Sequence, residues 1–434
     1  MSDFVRLLHT FKQDLVSMCK SKMGVNASEP TRSRSRPSQS QGSHHHSSRR
    51  SPSTTSTTGT SSSSNSNKTA ASSSSSAASR TSLASLRESL PENPHIYDVS
   101  EIRAATNNFL ANRLSSSSSS SSSKASWRCN LRGKEVVVFQ RKFRRRIAKD
   151  ELRDRLSDIC RSHHGSIVNL LGASVSGGSD HIYLVYEYVN GASLADCLRN
   201  QKNPNFTVLS SWASRIQIAT DLAHGLDYIH NKTGLKMENL VHNHIKSSAM
   251  IVTEPDYNAR ICHFGTAQLC GETNETETTT ERVGSMRFEG VRGYMSPEFQ
   301  ATGVATRESD VFAFGVVMLE LLSGEEPLKY RYDKATGDFE RTSVIETAKA
   351  VVIDGGDTEG RLRRWIDRRL GDSFPVTVVE KLTRLALECV VEDPVNRPEM
   401  GRVAGKISQL YLESEKWATN MKRPTDITVS YAPR

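Results

Sequence analysis

The side chains best suited to chemistry in this chain are three histidines and a lysine, held in two short stretches. His242, His244 and Lys246 lie in LVHNHIKSSAMIV (240–252), and His263 follows in ARICHFGTAQL (259–269). An imidazole has an ordinary pKa of about 6.5 and can take or give a proton near neutrality. A well-placed general base contributes about 10²–10⁴ in rate, and His244 is the candidate. Neither stretch contains a carboxylate, so neither supplies the charged oxygen ligands that a hard cation such as magnesium prefers. The first stretch reads as a buried strand that breaks into a loop and resumes as a strand.

The elements that must position these groups are legible as periodic patterns. LSSWASRIQIATDLAHGLDYIH (209–230) places Ile216, Ala219, Leu222, Ala223 and Leu226 on one face of a long helix. HIYLVYEYVNGASLADCL (181–198) reads as a buried strand leading into a helix, and 136–139 (VVVF) as another strand. AKDELRDRLSDICRSHHGSIVNLLG (148–172) opens with an amphipathic helix, and SDVFAFGVVMLELLSG (309–324) is an apolar one. Pro91 marks the onset of order. Beyond it, Val99, Ile102, Ala105 and Phe109 fall on one face of a short helix with Asp98 or Ser100 as N-cap.

Taken in order, these stretches resemble a protein kinase domain over about 95–415. ENPHIYDVSEIRAATNNF is similar to the segment preceding the domain in plant receptor-like kinases, and LRGKEVVVF resembles the LysM-type members. The family writes its catalytic loop H-R-D-x-K-x-x-x-N, where Asp receives the substrate proton and Asn holds Mg²⁺. The resemblance puts His242 at the His, Asn243 at the Arg, His244 at the Asp, Lys246 at the Lys and Ala249 at the Asn. It puts His263 at the metal-binding Asp of D-F-G. Phe139 stands where the phosphate-binding Lys belongs, and Arg155 where its Glu partner belongs. Glu151 lies one turn before Arg155, and Arg141, on the strand face of Phe139, is the one cation that could partly substitute. The serine run 115–123 replaces the Gly-rich phosphate loop; serine does not freely take the positive φ that glycine permits.

Other parts of the frame are kept. Tyr186 would guard the back of an adenine slot, with backbone groups of Glu187 and Val189 at the adenine edge. Asp310 matches the residue that steadies the catalytic loop. Glu298 in GVRGYMSPEF and Arg397 in VVEDPVNRPEM match a structural ion pair. A buried pair needs both members, because a lone buried charge costs several kcal/mol. The segment CGETNETETTTERVGSMRFEG (270–290) reads as an acidic, Thr-rich activation segment open to phosphorylation by another kinase. By the same placement His242, His244 and His263 share one cleft, where packing or solvation is the commoner role and a transition-metal site the alternative. We expect no metal.

The net charge of +9 sits almost wholly in residues 1–90, which hold 12 Lys/Arg against 4 Asp/Glu. An anionic surface is therefore the tail's natural partner, and nucleic acid is not expected for the remainder. Residues 2–23 space Phe4, Leu8, Phe11, Leu15 and Met18 at helical intervals beside basic residues. That helix would lie on an anionic membrane, with Cys19 as a palmitoylation candidate, or pack on protein. The seven cysteines are scattered without metal-type spacing, which suits a reducing compartment. No run of 18 apolar residues exists. The expected location is cytoplasmic, with peripheral attachment at the plasma membrane as the role of 1–23.

The expected architecture is α+β, a bilobal kinase-like fold with a small β-rich lobe and a larger helical lobe. Its divisions are a basic helix (1–23), a disordered Ser/Arg-rich tail (24–90), a pre-kinase segment and Ser run (91–125), an N-lobe (126–189), a C-lobe (190–418) and a C-terminal tail (419–434). With the Lys, Glu, Asp and both metal ligands replaced, the resemblance implies a pseudokinase, a signalling scaffold or allosteric partner of an active receptor kinase. No cofactor is expected beyond weak, metal-independent ATP binding. The alternatives are an atypical Ser/Thr kinase transferring phosphate from ATP, and a chain with no selected function.

Overall fold

The computed structural model describes residues 94–110, 125–144, 147–175, 180–235, 240–272, 290–332, 337–353 and 355–421. The chain divides into Met1–Ser73 and Ser74–Arg434, and the described residues all belong to the second unit. The expected helix at 1–23, the tail 24–90, the Ser run 115–123, residues 273–289 and the last residues from 422 lie outside the described residues.

The smaller lobe is a five-stranded sheet in the order β1-β4-β5-β3-β2. β1 (His95–Ile96) pairs in parallel with β4 (Leu170–Val175), while β2 (Ser126–Leu131), β3 (Lys134–Lys142) and β5 (His181–Glu187) pair antiparallel. Gly172 makes the β1 contact possible, since a Cβ there would fall 2.0 Å from the His95 carbonyl oxygen. Alternation along β3 sends Val136 and Val138 to the outer face and Phe139 to the inner. The outer face is covered by the short helix α1 (Val99–Ala105), whose N-cap is Asp98. Its Ile102 packs with Tyr97, Leu131, Val136, Val138, Tyr183 and Val185. The helix stops at Ala105, so Phe109 is not its next face position as the periodicity suggested. Phe109 arrives from a turn with positive φ at Asn107 and Asn108, and its ring stacks 5.3 Å from Tyr183. Asparagine tolerates that conformation better than other L-residues.

The inner face of the sheet meets α2 (Lys149–Arg161). After β5, the strand β6 (Gly191–Ser193) leads into α3 (Leu194–Arg199) and then α4 (Trp212–Asp227). Ile216, Ala219, Leu222, Ala223 and Leu226 of α4 are all buried, and a π-helical turn, Tyr228–Lys232, continues it. β7 (Met250–Thr253) and β8 (Ala259–Ile261) complete a three-stranded sheet with β6. The loop bearing His242 to Ala249 leads into β7, and His263 leaves β8. Thus one small sheet fixes both chemistry-bearing stretches.

Beyond the one-turn helix α5 (Thr266–Leu269) come α6 (Pro297–Thr302) and α7 (Arg307–Ser323). α7 is buried along nearly its whole length, as expected of a helix apolar all round. Thr306 and Ser309 form its capping box, and Gly324 ends it at φ 74°, against Asp367. The hairpin β9 (Leu328–Tyr332) and β10 (Phe339–Ser343) precedes α8 (Val344–Val351), α9 (Thr358–Trp365), α10 (Val376–Cys389) and α11 (Met400–Met421). Among the described residues no helix is long and apolar enough to cross a membrane.

Candidate functional site

α7 organises the loop that precedes β7. The Asp310 carboxylate accepts the backbone N–H of His242 at 2.6 Å and of Asn243 at 2.8 Å, and the His230 ring nitrogen lies 3.1 Å away. Two loop amides that would otherwise be buried without partners are thereby satisfied. Asn243 sits at φ 62°. The His242 ring donates from Nε2 to the Cys262 carbonyl at 2.8 Å, and its Nδ1 accepts the His244 N–H at 3.2 Å. That fixes its tautomer. Burial, foremost, pushes its pKa down to about 4, so it is a neutral strut between the two chemistry-bearing stretches.

The other two imidazoles differ. Ring centroids of His242 and His244 lie 6.3 Å apart, as do those of His244 and His263, so all three do share one cleft. Among the described residues, no group of three His, Cys, Asp or Glu is placed to hold a metal ion. His263, at φ 71°, turns its ring edge-on to Phe139, with centroids 4.6 Å apart. Tyr186 stands edge-on to both, 5.7 Å from Phe139 and 6.2 Å from His263. The Tyr186 hydroxyl donates to the Phe264 carbonyl at 2.8 Å. The His263 Nδ1 is buried without a hydrogen-bond partner. Burial first, then the nearby Arg141, His244, Lys246 and His242, hold its pKa well below the ordinary imidazole value. His263 is therefore a neutral ring in an aromatic cluster.

Arg155 is buried on α2, donating to the Gln268 carbonyl at 3.0 Å and to Glu151 at 2.6 Å. Glu151 thus neutralises the arginine one turn away and is spent on it. The link to Gln268 ties α2 to α5. Gly265 at φ 81° lets the two approach, because a Cβ there would lie 2.5 Å from Ile159. Arg141 reaches over the Phe139 ring, 5.3 Å from its centroid. Ala249 is buried, and its side chain has no donor atom. At the outer edge the Glu187 carboxylate takes the Asn169 N–H and Arg260, leaving Val189 half-buried beside the hinge strand.

A residue that sequence reasoning missed completes the site. The Glu272 carboxylate accepts from Asn243 Nδ2 at 2.9 Å and lies 3.0 Å from His244 Nε2. The second contact is an ion-pair distance without an aligned hydrogen bond. Burial alone would raise the carboxyl's pKa, but His244 and Asn243 outweigh it and hold it at about 2. No periodicity marks Glu272; its sign is only an acid just after a short helix. A second hub also went unseen. The fully buried Glu320 of α7 accepts from Ser247 at 2.9 Å and Tyr294 at 2.7 Å, and pairs with Arg199 at 2.9 Å.

Farther from the cleft, Arg397 donates to both oxygens of Glu298, at 2.6 and 2.8 Å, and to three backbone carbonyls. Lys246 and His244 open onto a groove of about 50 Å³, bounded also by Asn243, Tyr294, Met295 and Phe299.

Residues 112–407 match the family model described as protein tyrosine and serine/threonine kinase. The chain is 33% identical over 332 residues to LysM domain receptor-like kinase 3 of Arabidopsis thaliana, covering 76% of this chain and 48% of that one. It is 32% identical over 322 residues to chitin elicitor receptor kinase 1 of the same plant, covering 74% and 47%. The chain thus spans about half the length of these relatives. Among solved structures it is similar to the pseudokinase domain of BIR2, an immune regulator of the RLK/Pelle family. The TM-score is 0.55 at 23% identity, over 76% of this chain and 93% of that one, a likeness of fold.

Proposed function

Because the chain belongs to the protein tyrosine and serine/threonine kinase family, we propose that it is a member whose nucleotide chemistry has been exchanged for packing. In this reading it works as a pseudokinase, a signalling scaffold or allosteric partner of an active receptor-like kinase. The observation that carries the reading is the aromatic contact of Phe139 with His263, 4.6 Å between centroids, backed by Tyr186. In the family those two positions supply a cation for phosphate and a carboxylate for metal.

The residues present do not fit magnesium. Mg²⁺ needs oxygen ligands in near-octahedral array. Ala249 brings none, and His263 brings a neutral ring turned against Phe139. His244 is well placed for a proton, yet a base contributes little where the γ-phosphate is not positioned and its charge not offset. The backbone edge at Glu187 and Val189 supports at most weak, metal-independent adenine binding. Attachment of residues 1–23 to an anionic membrane remains part of the same proposal.

A second reading, an atypical Ser/Thr kinase, is favoured by one observation. The loop frame of Asp310, Glu298 and Arg397 is held as an active enzyme would require. Incubating the full chain with radiolabelled ATP and Mg²⁺ or Mn²⁺ separates the two. The pseudokinase reading expects no label on protein substrates. Transfer that vanishes when the adenine slot is blocked would overturn it.

A further inference from the structure

Between α7 and α8 stands a hairpin with both faces exposed. Among the described residues β9 pairs with β10 alone. Every residue of the two strands is exposed except Leu328, Thr342 and Ser343, which are half-buried. Residues directly opposite in an antiparallel pair share a face. Tyr332 stands opposite Phe339, Tyr330 opposite Arg341 and Leu328 opposite Ser343. One face therefore carries Tyr330, Tyr332 and Phe339, which are 54%, 53% and 68% exposed. The last two rings lie 5.2 Å apart. A two-stranded hairpin is marginally stable by itself and gains from a third strand, and an open strand edge is a template for pairing.

The sequence also holds a strand-like run beyond α11. In KRPTDITVSYAPR (422–434), outside the described residues, Ile427, Val429 and Tyr431 alternate with Thr428 and Ser430 between Pro424 and Pro433. β-branched and aromatic residues at period two, bounded by proline, are the pattern of a short strand. β9 offers a matching triplet in Leu328, Tyr330 and Tyr332, whereas β10 puts only Phe339 on that face, beside Arg341 and Ser343. The start of α4 gathers the two regions. Its Trp212 indole N–H donates to Ser414 of α11 at 3.0 Å, and its Arg215 donates to the Leu321 carbonyl near the end of α7 at 2.6 Å. The stretch from Met421 to Ile427 reaches about 20 Å when extended. The exposed parts of the rings amount to on the order of 350 Å². A stable dimer needs about 800 Å² per partner, so the face suits one added strand rather than a second copy. We propose that residues 427–431 add to the free edge of β9 as a third strand, with Ile427, Val429 and Tyr431 on the face of Tyr330 and Tyr332. The C-terminal tail thereby closes an edge otherwise open to other chains, whether or not the cleft is catalytic.

Hydrogen exchange of the full chain, read by mass spectrometry on peptides covering β9 and 425–431, tests this. Val429→Pro removes a ladder donor and interrupts the run, and it should speed exchange in β9 by about tenfold or more. Tyr330→Ser, the second variant, should speed exchange in 425–431 by a similar factor. Exchange in the buried α7 should stay unchanged in both. Equal exchange of β9 in the parent and in Val429→Pro would overturn the proposal and leave the edge to a strand of another protein. So would a parent segment 425–431 that exchanges as fast as a free synthetic peptide of residues 422–434. Protection of β9 that falls on dilution would put the strand on a second copy of the chain, which equally contradicts an intramolecular contact.

Discussion

Two charged constellations of the same fold have gone opposite ways. In the helical lobe, Arg397 and Glu298 keep a bidentate contact, and Asp310 keeps its two backbone partners. In the cleft, the positions that would pair between β3 and α2 hold Phe139 and Arg155, and the first meets another ring while the second turns to Glu151 and Gln268. A buried charge whose partner is lost costs several kcal/mol, whereas apolar packing in place of the whole pair is often neutral. Here Phe139 packs against a ring, and the buried Arg155 is matched by Glu151 and the Gln268 carbonyl, so neither position leaves a buried charge without a partner. The helical-lobe pair could not be lost one residue at a time. Charged pairs stand where they support backbone, and on the proposed pseudokinase reading rings stand where charge would serve a ligand.

That contrast can be broken from either side. Arg397→Met should be the most damaging change, leaving Glu298 without its arginine. A loss of about 3–5 kcal/mol, read as a fall in urea midpoint, is expected, and a near-neutral result would remove the distinction. Gly265→Ala comes next, since the position has φ 81° and its Cβ would press on Ile159. The cost should be about 1–3 kcal/mol, measured the same way. Phe139→Ala should cost on the order of 2 kcal/mol, less than a full core deletion because the ring is only half-buried. Phe139→Lys, which restores the family residue, should lose a similar amount and still gain no Mg²⁺-dependent nucleotide binding, because Ala249 and His263 stay as they are.

The remaining expected effect is a pH slope, spread over the range between two pKa values. His242 has its folded pKa lowered to about 4 from an ordinary value near 6.5. Between those values the unfolded chain binds the extra proton, so stability is fully present above about 6.5 and falls as pH drops towards 4. Melting temperatures of His242→Gln should change less over that range than those of the parent. An unchanged slope would mean that another group carries it. Glu272, held at about 2, acts only in more acid solution: its contribution is present above its ordinary pKa and is lost as pH falls through about 2.

Much of the frame was legible because its signals are local. The face of α4, the apolar length of α7 and the alternation of β3 are periodic patterns in single segments. Kinase-type motifs, matched in order, marked the kinase-like fold, and the residues at Phe139, Ala249 and His263 could be named before their contacts were known. What the sequence hid is long-range. Nothing near Glu272 says that it will sit on His244, and nothing in α7 distinguishes Glu320 from a surface glutamate except its apolar neighbours. The fate of Arg155 was also closed to spacing, because its partners are a carbonyl on another element and an acid on its own helix. The aromatic filling of the cleft follows from three rings brought together by β3, β5 and the loop after β8, which only the tertiary fold aligns.

The most direct test is a thermal melt of the full chain with ATP, run with and without Mg²⁺. If rings and neutral imidazole have replaced the counter-ion site, adding magnesium should leave the small or absent ATP shift unchanged. A shift of several degrees that appears only when magnesium accompanies ATP would contradict the account.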